Sequence, residues 1–290
     1  MRRRVLTYGD VMPMFRQDSF DFHFERSGTG PQLLFCNGSG AAIARSEPLL
    51  NVFRRQFDLA VHDQRGLGQT GLRTDDLTIA ARDNWTMADY ASDALAFADH
   101  LGWDTFALVG VSFGGMVAQE LAVTAPGRVS RLALVCTSSG GPGGSSFPLH
   151  ELRARLIDEP SLALTLADSR FDAAWLAEHP RDAVIAEARR TTSARVRTPV
   201  EDVGERLQLV ARSHHDVWDR LRRIACPTLV ASGRFDLVAP VSNGQAIASQ
   251  IPGAEFRSYE GGHSFFFQDR AAFPDICAFL AATDPTNRPN

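Results

Sequence analysis

The sequence predicts an α/β fold: a mainly parallel, twisted sheet with helices on both faces and a helical insertion. Three observations predict it. Short apolar runs such as Leu33–Cys36 and Val129–Val135 alternate with helix-period segments through the first half, the order of strand-helix-strand units. From about Pro148 to Arg222 the pattern holds no convincing strand, only helix-like stretches separated by prolines or polar breaks. Strand signals then return at Thr228–Gly233. The chain therefore divides into a first core part at 1–138, a helical insertion at 139–222 and a second core part at 223–290.

Taken in order, Ser19–Glu25 alternates Phe20, Phe22 and Phe24 with polar residues, the period of a half-buried strand. Ser27-Gly28-Thr29-Gly30-Pro31 turns the chain into Leu33–Cys36, a central strand that empties into Asn37-Gly38-Ser39-Gly40. A helix around Leu49–Arg55 leads to a strand at Phe57–Val61 and then to His62-Asp63-Gln64-Arg65-Gly66-Leu67-Gly68. Thr86 with Asp89 three residues on is a capping-box start, continued at helical spacing by Tyr90, Ala94, Leu95, Ala98 and Leu101. Phe106–Val109 is the next strand, Met116–Ala122 the next helix, and Val129–Val135 the strand after it. Thr137–Ser146, rich in glycine and serine, has the composition of a hinge. Helices follow at Leu149–Ile157, Ser161–Leu166, Ala173–Glu178, Asp182–Arg190 and Val200–Ser213. After the Thr228 strand come a helix at Val241–Gln250, a last strand at Ala254–Tyr259, a closing helix at Phe273–Ala282 and a polar, frayed end at Thr283–Asn290.

Composition narrows the function. With 290 residues, 44% hydrophobic and 22% charged, the chain reads as a soluble globular protein. A net charge of -4 argues against general attraction to nucleic acid or to an anionic membrane. No apolar run reaches the 18 residues a bilayer span needs, and the basic start Met1–Arg4 lacks the apolar core and cleavage site of a secretion signal. Cys36, Cys136, Cys226 and Cys277 are far apart and without a C-x-x-C pair, which suits free thiols in a reducing cytoplasm better than disulfides or a zinc site.

The chemistry centres on Gly110-Val111-Ser112-Phe113-Gly114-Gly115, where an apolar strand turns sharply into a helix. Glycines two residues either side of Ser112 remove collisions between strand and helix, and the hydroxyl is held out over the helix's free amides. The alternative is a glycine-rich connection with an incidental serine, so partners decide. A neutral hydroxyl needs a base. Of eight histidines, His263 lies in the glycine-flanked loop after the last strand, on the edge where parallel strands end, and is favoured over the others. His62 sits in a structural-looking turn, and adjacent His214 and His215 point to different helix faces. Asp236, just past the Thr228 strand, is the candidate orienting acid; the Cys136 strand end offers no carboxylate, and Asp236 lies slightly early to cap the Val241 helix. The Phe113 amide and the Ser39 amide, with Gly38 as fallback, are the candidate oxyanion donors.

The elbow, the Asp63–Gly68 turn, the loop Gly233-Arg234-Phe235-Asp236 with Val238 and Pro240, and Gly261-Gly262-His263 together resemble the α/β-hydrolase superfamily in motif and in order, over nearly the whole chain outside the insertion. The resemblance implies that Asp63 and Arg65 are structural and that the insertion stands where the family has its lid. It departs in one place: Asn37-Gly38 stands where many relatives carry His-Gly, which bears on the second oxyanion donor. Serine at the elbow, where haloalkane dehalogenases and soluble epoxide hydrolases have aspartate, argues against those two reactions. Among serine members the chain looks most like the 3-oxoadipate enol-lactonase-like and small-ester hydrolase branch, which includes relatives first described as cofactor-free haloperoxidases. The expected function is hydrolysis of a small carboxylic ester or lactone with no metal or organic cofactor; the alternatives are a carboxylate-bearing lactone, a carbon-carbon bond hydrolase, and a receptor with residual activity. A homodimer is left open. Phe171, Trp175, Leu176 and Trp218 are expected either to roof the substrate or to pack the lid on the core. Arg189, Arg190, Arg195 and Arg197 are either a solvated face or the source of one arginine for a substrate carboxylate.

Overall fold

The computed structural model describes residues 13–73 and 85–282, so the readings of Met1–Arg4 and Thr283–Asn290 lie outside the described residues. The strands are β1 (Met14–Gln17), β2 (Phe20–Ser27), β3 (Gln32–Cys36), β4 (Asp58–His62), β5 (Gly71–Leu72), β6 (Phe106–Val111), β7 (Val129–Val135), β8 (Thr228–Gly233) and β9 (Glu255–Tyr259). They form one sheet in the order β1-β2-β4-β3-β6-β7-β8-β9, with β5 paired to β2. From β4 to β9 every pairing is parallel, whereas β1, β2 and β5 close one end with antiparallel pairs. The parallel strands need crossovers, and helices supply them. β6 is buried at every position, as its uninterrupted apolar sequence requires.

Helices α1 (Ile43–Phe53), α2 (Met87–His100), α3 (Phe113–Thr124), α9 (Val241–Gln250), α10 (Phe265–Gln268) and α11 (Ala272–Ala281) belong to the two core parts. Between β7 and β8 the chain forms α4 (Leu149–Asp158), α5 (Pro160–Ala167), α6 (Ala173–Glu178), α7 (Pro180–Ser193) and α8 (Pro199–Ser213). α2 opens on the capping box read from the sequence, Thr86 and Asp89 exchanging side chain for backbone. α1 begins six residues before the sequence placed it. Pro48 lies inside it, and its one missing donor is outweighed by the buried face of Ile43, Ser46, Leu50 and Phe53. β1, β5 and α10 were not foreseen; each has two to four residues, too few for a period to register.

Two apolar clusters sandwich the sheet. One holds Phe22, Leu34, Leu108 and Phe113 with α2 and α3; the other holds Phe35, Val109 and Leu229 with α1 and α11. α5 to α7 carry a separate small cluster of Leu164, Phe171 and Ala186, flanked by Trp175 and Leu176. α8 instead joins the first core cluster through Leu207 and Ala211. It approaches the core so closely that a side-chain carbon on Gly66 would stand 2.8 Å from the Gly204 Cα. The Gln208 side chain completes this seam, accepting from Gly40 N at 2.9 Å and donating to the Gln64 side chain. Among the described residues no helix is long and apolar enough to cross a membrane.

His62 ends β4 inside a cage of Phe15, Phe22 and Phe97, with its Nδ1 buried and unpartnered. Burial pulls its pKa down to about 4 from 6.5. Because the folded pKa is the lower one, the neutral ring stabilises the fold above pH 6.5, and that contribution is lost as pH falls from 6.5 towards 4. At pH 5 the loss is about 2 kcal/mol relative to pH 7. His62→Phe is expected to flatten this part of the acid limb, read as urea midpoints from pH 7 to pH 4.5; an unchanged pH slope would contradict the assignment.

Candidate active site

The site forms where β3, β6, β8 and β9 end on the same edge of the sheet. Ser112 leaves β6 with φ 55° and ψ -114°, a left-handed backbone that side chains other than glycine adopt only under strain. Its surroundings enforce the conformation. A side chain on Gly110 would run into the Gly114 carbonyl, and one on Gly114 would run into the Cys36 carbonyl of the neighbouring strand. The glycine spacing is thus a packing requirement between β3, β6 and α3.

Two more loops converge on that hydroxyl. His263 Nε2 lies 2.9 Å from Ser112 Oγ, and His263 Nδ1 lies 2.7 Å from Asp236 Oδ2. A carboxylate only accepts, so Nδ1 carries the proton and Nε2 accepts from the serine hydroxyl. The Asp236 side chain is fully buried, yet its charge is solvated: Oδ1 accepts from Val238 N at 2.8 Å and Ala239 N at 2.9 Å. These bonds hold its own loop and leave α9 uncapped by it, as the sequence position suggested.

The loop after β3 faces the same point. A Cβ on Gly38 would stand 3.7 Å from the Ser112 Cβ. Gly40 N is committed to Gln208, while Ser39 and Phe113 donate no backbone hydrogen bond among the described residues. Asn37, in the place where relatives have histidine, accepts from Ser46 through its side chain at 2.9 Å and from Gln64 through its carbonyl at 3.1 Å, which fixes the loop from behind.

Asp63 and Arg65 are structural. Asp63 receives His23 Nδ1, Ile43 N and Gln69 N, and Arg65 is held by Asp93 and Asp18. Cys136 sits at the end of β7, its thiol within 4.8 Å of the ligand atoms of Asp236 and His263. Burial, and then the nearby Asp236 charge, push its pKa well above the usual thiol range, so it stays protonated. The other cysteines are unpaired as well.

A cavity of about 920 Å³ opens above Ser112 and His263. Of the two readings of Phe171, Trp175, Leu176 and Trp218, packing holds rather than roofing. Phe171, Trp175 and Leu176 are absorbed in the α5–α7 cluster, and Trp218 packs on the core beside Gly143. The wall comes instead from Leu149, Leu156, Leu164, Ile185, Phe266 and Phe267. Phe266 and Phe267 belong to α10, immediately after the histidine loop, where Phe265-Phe266-Phe267 was the available signal.

The four arginines separate just as clearly. Arg195 and Arg197 pair with Glu205, Arg195 also with Glu201, and Arg190 pairs with Glu187. Arg189, half-buried in the cavity wall, forms no ion pair among the described residues; its Nη2 donates to Ser264 Oγ at 2.7 Å, one residue from His263. Burial lowers its pKa from the usual arginine value.

One contributor went unread in the sequence. The stretch Leu166–Ser169, leaving α5, bridges the acid and histidine loops: Leu237 N donates to Leu166 O at 3.1 Å, His263 N to Ala167 O at 2.5 Å, and Ser169 N to Phe235 O at 3.0 Å. Asp168 anchors the bridge through Arg170 and Gln268. Asp168 and Arg170 are only two residues apart, a local pairing that gives no hint of these distant partners.

The sequence profile of the alpha/beta hydrolase fold matches residues 31–270. Among curated proteins, one from Agrobacterium fabrum named as a carbamate hydrolase, RutD, is 24% identical over 92% of this chain and 99% of its own length. 3-Oxoadipate enol-lactonase 2 of Acinetobacter baylyi is 24% identical over 84% of this chain and 85% of its own. The crystal structure of the enol-lactonase from Burkholderia xenovorans superposes with a TM-score of 0.75 at 21% identity, covering 93% of this chain and 100% of that one. At that identity the likeness speaks to the fold.

Proposed function

The chain belongs to the alpha/beta hydrolase fold family, and from that membership we propose that it is a serine hydrolase that cleaves a carboxylic ester or lactone through an acyl-enzyme on Ser112. The observation that carries the proposal is the unbroken relay from Ser112 Oγ through His263 to Asp236, at 2.9 and 2.7 Å, with the serine at the strained elbow.

In this reading His263 takes the serine proton as Oγ attacks the substrate carbonyl, and Asp236 holds the imidazole in the accepting tautomer and stabilises the imidazolium. The amides of Phe113 and Ser39 receive the oxyanion. His263 returns the proton to the leaving oxygen, then activates water to release the acid. The helical segment 139–222 acts as the lid, its α4, α5 and α7 closing the apolar side of the cavity.

Treatment with a fluorophosphonate, beside a screen of short-chain aryl esters and lactones, tests the proposal. Labelling at Ser112 with turnover supports it; labelling without turnover on any of them would favour a receptor.

Arg189 supports the narrower reading of a carboxylate-bearing lactone or ester. It is a half-buried cation facing the cavity beside the histidine loop and is held by a hydroxyl rather than by a carboxylate. A charge-assisted bond to a substrate carboxylate stabilises by about 1.5–3 kcal/mol. Arg189→Ala is therefore expected to raise KM for a carboxylate-bearing lactone about 10- to 100-fold and to leave the matched neutral lactone within about threefold. Equal effects on both would remove the narrower reading and leave the hydrolase standing.

A further inference from the structure

Behind the main cavity lies a second one of about 210 Å³, bounded by the loop 140–148, the end of α8, and Met116 on α3. Leu209 borders both cavities. The residues bordering the second include Arg212, His150 and His215, but no carboxylate.

Arg212 is 6% exposed and forms no ion pair among the described residues. Its Nη1 donates to the Phe147 carbonyl at 2.9 Å, while its Nε is buried without a partner. His215 is also 6% exposed, and its Nε2 is likewise buried and unpartnered. Both residues border the cavity, while these two nitrogens are themselves enclosed.

A buried guanidinium is stable when a counter-ion or a full set of acceptors meets it. Burial pulls Arg212 down to about 10, against the raising effect of the Asp236 charge, so it remains charged at neutral pH. His215, pulled down to about 4, is neutral there and adds no charge. With Nη1 turned to Phe147 and Nε enclosed, Nη2 is the guanidinium donor left for an anion. Ser145 and Ser146 add hydroxyls around the same space. Water, at about 30 Å³ per molecule, also fits a cavity of this size, but it brings no compensating charge.

We propose that this second cavity binds a small oxyanion, of the size of inorganic phosphate or a short carboxylate, between Arg212 and His215, and that the bound anion fastens the loop 140–148 to α8. The site lies outside the cavity that holds Ser112, although the Asp236 charge reaches Arg212.

The test titrates inorganic phosphate, acetate and chloride into the full chain at constant ionic strength, followed by calorimetry and thermal midpoint. Phosphate or acetate is expected to bind saturably and raise the midpoint, Arg212→Gln to weaken that binding at least tenfold, and Arg189→Ala, which alters the main cavity, to leave it unchanged. Crystals of the wild-type protein soaked in selenate should show the anion beside Arg212, a readout that stands even where Arg212→Gln does not fold. The proposal is overturned by no saturable binding, by chloride binding as well as the oxyanions do, by sensitivity to Arg189→Ala rather than Arg212→Gln, or by a selenate-soaked cavity that holds water alone.

Discussion

Ser112→Ala is expected to lower kcat for the best ester or lactone by about 10⁴- to 10⁶-fold and to abolish fluorophosphonate labelling, while the folded state survives. The size follows from the role assigned to it: without Oγ no acyl-enzyme forms, and only the oxyanion donors and substrate positioning remain. Survival of the fold follows from the backbone. Alanine meets the same strain as serine at φ 55°, so the thermal midpoint should move little, whereas Ser112→Gly, equally inactive, should be at least as stable because glycine adopts that conformation freely. Activity of the alanine variant within tenfold of wild type would mean that the hydroxyl is not the nucleophile, whatever its distance from His263.

Gly114→Ala is expected to act on the fold itself, by about 3 kcal/mol or more, and with it to remove activity. The added methyl would enter the Cys36 carbonyl and lie 2.6 Å from the Asn37 carbonyl. Both are backbone atoms at the end of a central strand, so no side chain can swing aside, and overpacking of a rigid site is among the few single changes with effects this large. Relief would require α3 to move off β3, which displaces the loop that carries Ser39. Urea unfolding of Gly114→Ala beside Gly127→Ala, where an added methyl meets nothing within 4 Å, makes the comparison internal to the protein. Equal stability of the two variants would show that α3 and β3 are less tightly joined than their geometry indicates.

Much of the sheet was legible because its signals are local. Val129–Val135 and Thr228–Gly233 each centre on a short apolar stretch, Leu132–Val135 and Leu229–Ala231, and their observed limits coincide with the pattern. The elbow was legible because its glycines answer a steric need within five residues. The acid and histidine loops were placed beside it because parallel strands must end on one edge.

What stayed hidden depends on contacts between distant segments. Arg189 turns to Ser264, 75 residues away, while Arg195 and Arg197 are held by Glu201 and Glu205. The cavity wall depends on how α4 to α7 cross one another, which no periodicity encodes. Trp175 shows the difference: its apolar mass left roofing and packing both open, and its indole N–H donating to Asp182 with its ring stacked on His179 decides for packing.

The seam between α8 and the core divides the insertion into two kinds of chain. Where Gly204 meets Gly66 and Gln208 joins Gly40 to Gln64, a change in α8 reaches the loop that carries Ser39. Farther out, α6 and most of α7 rest chiefly on their own small cluster, so their outward-facing sequence is free to drift. A change there reaches the cavity only through the α7 face that carries Ile185, Ala188 and Arg189, since no residue of α6 borders it.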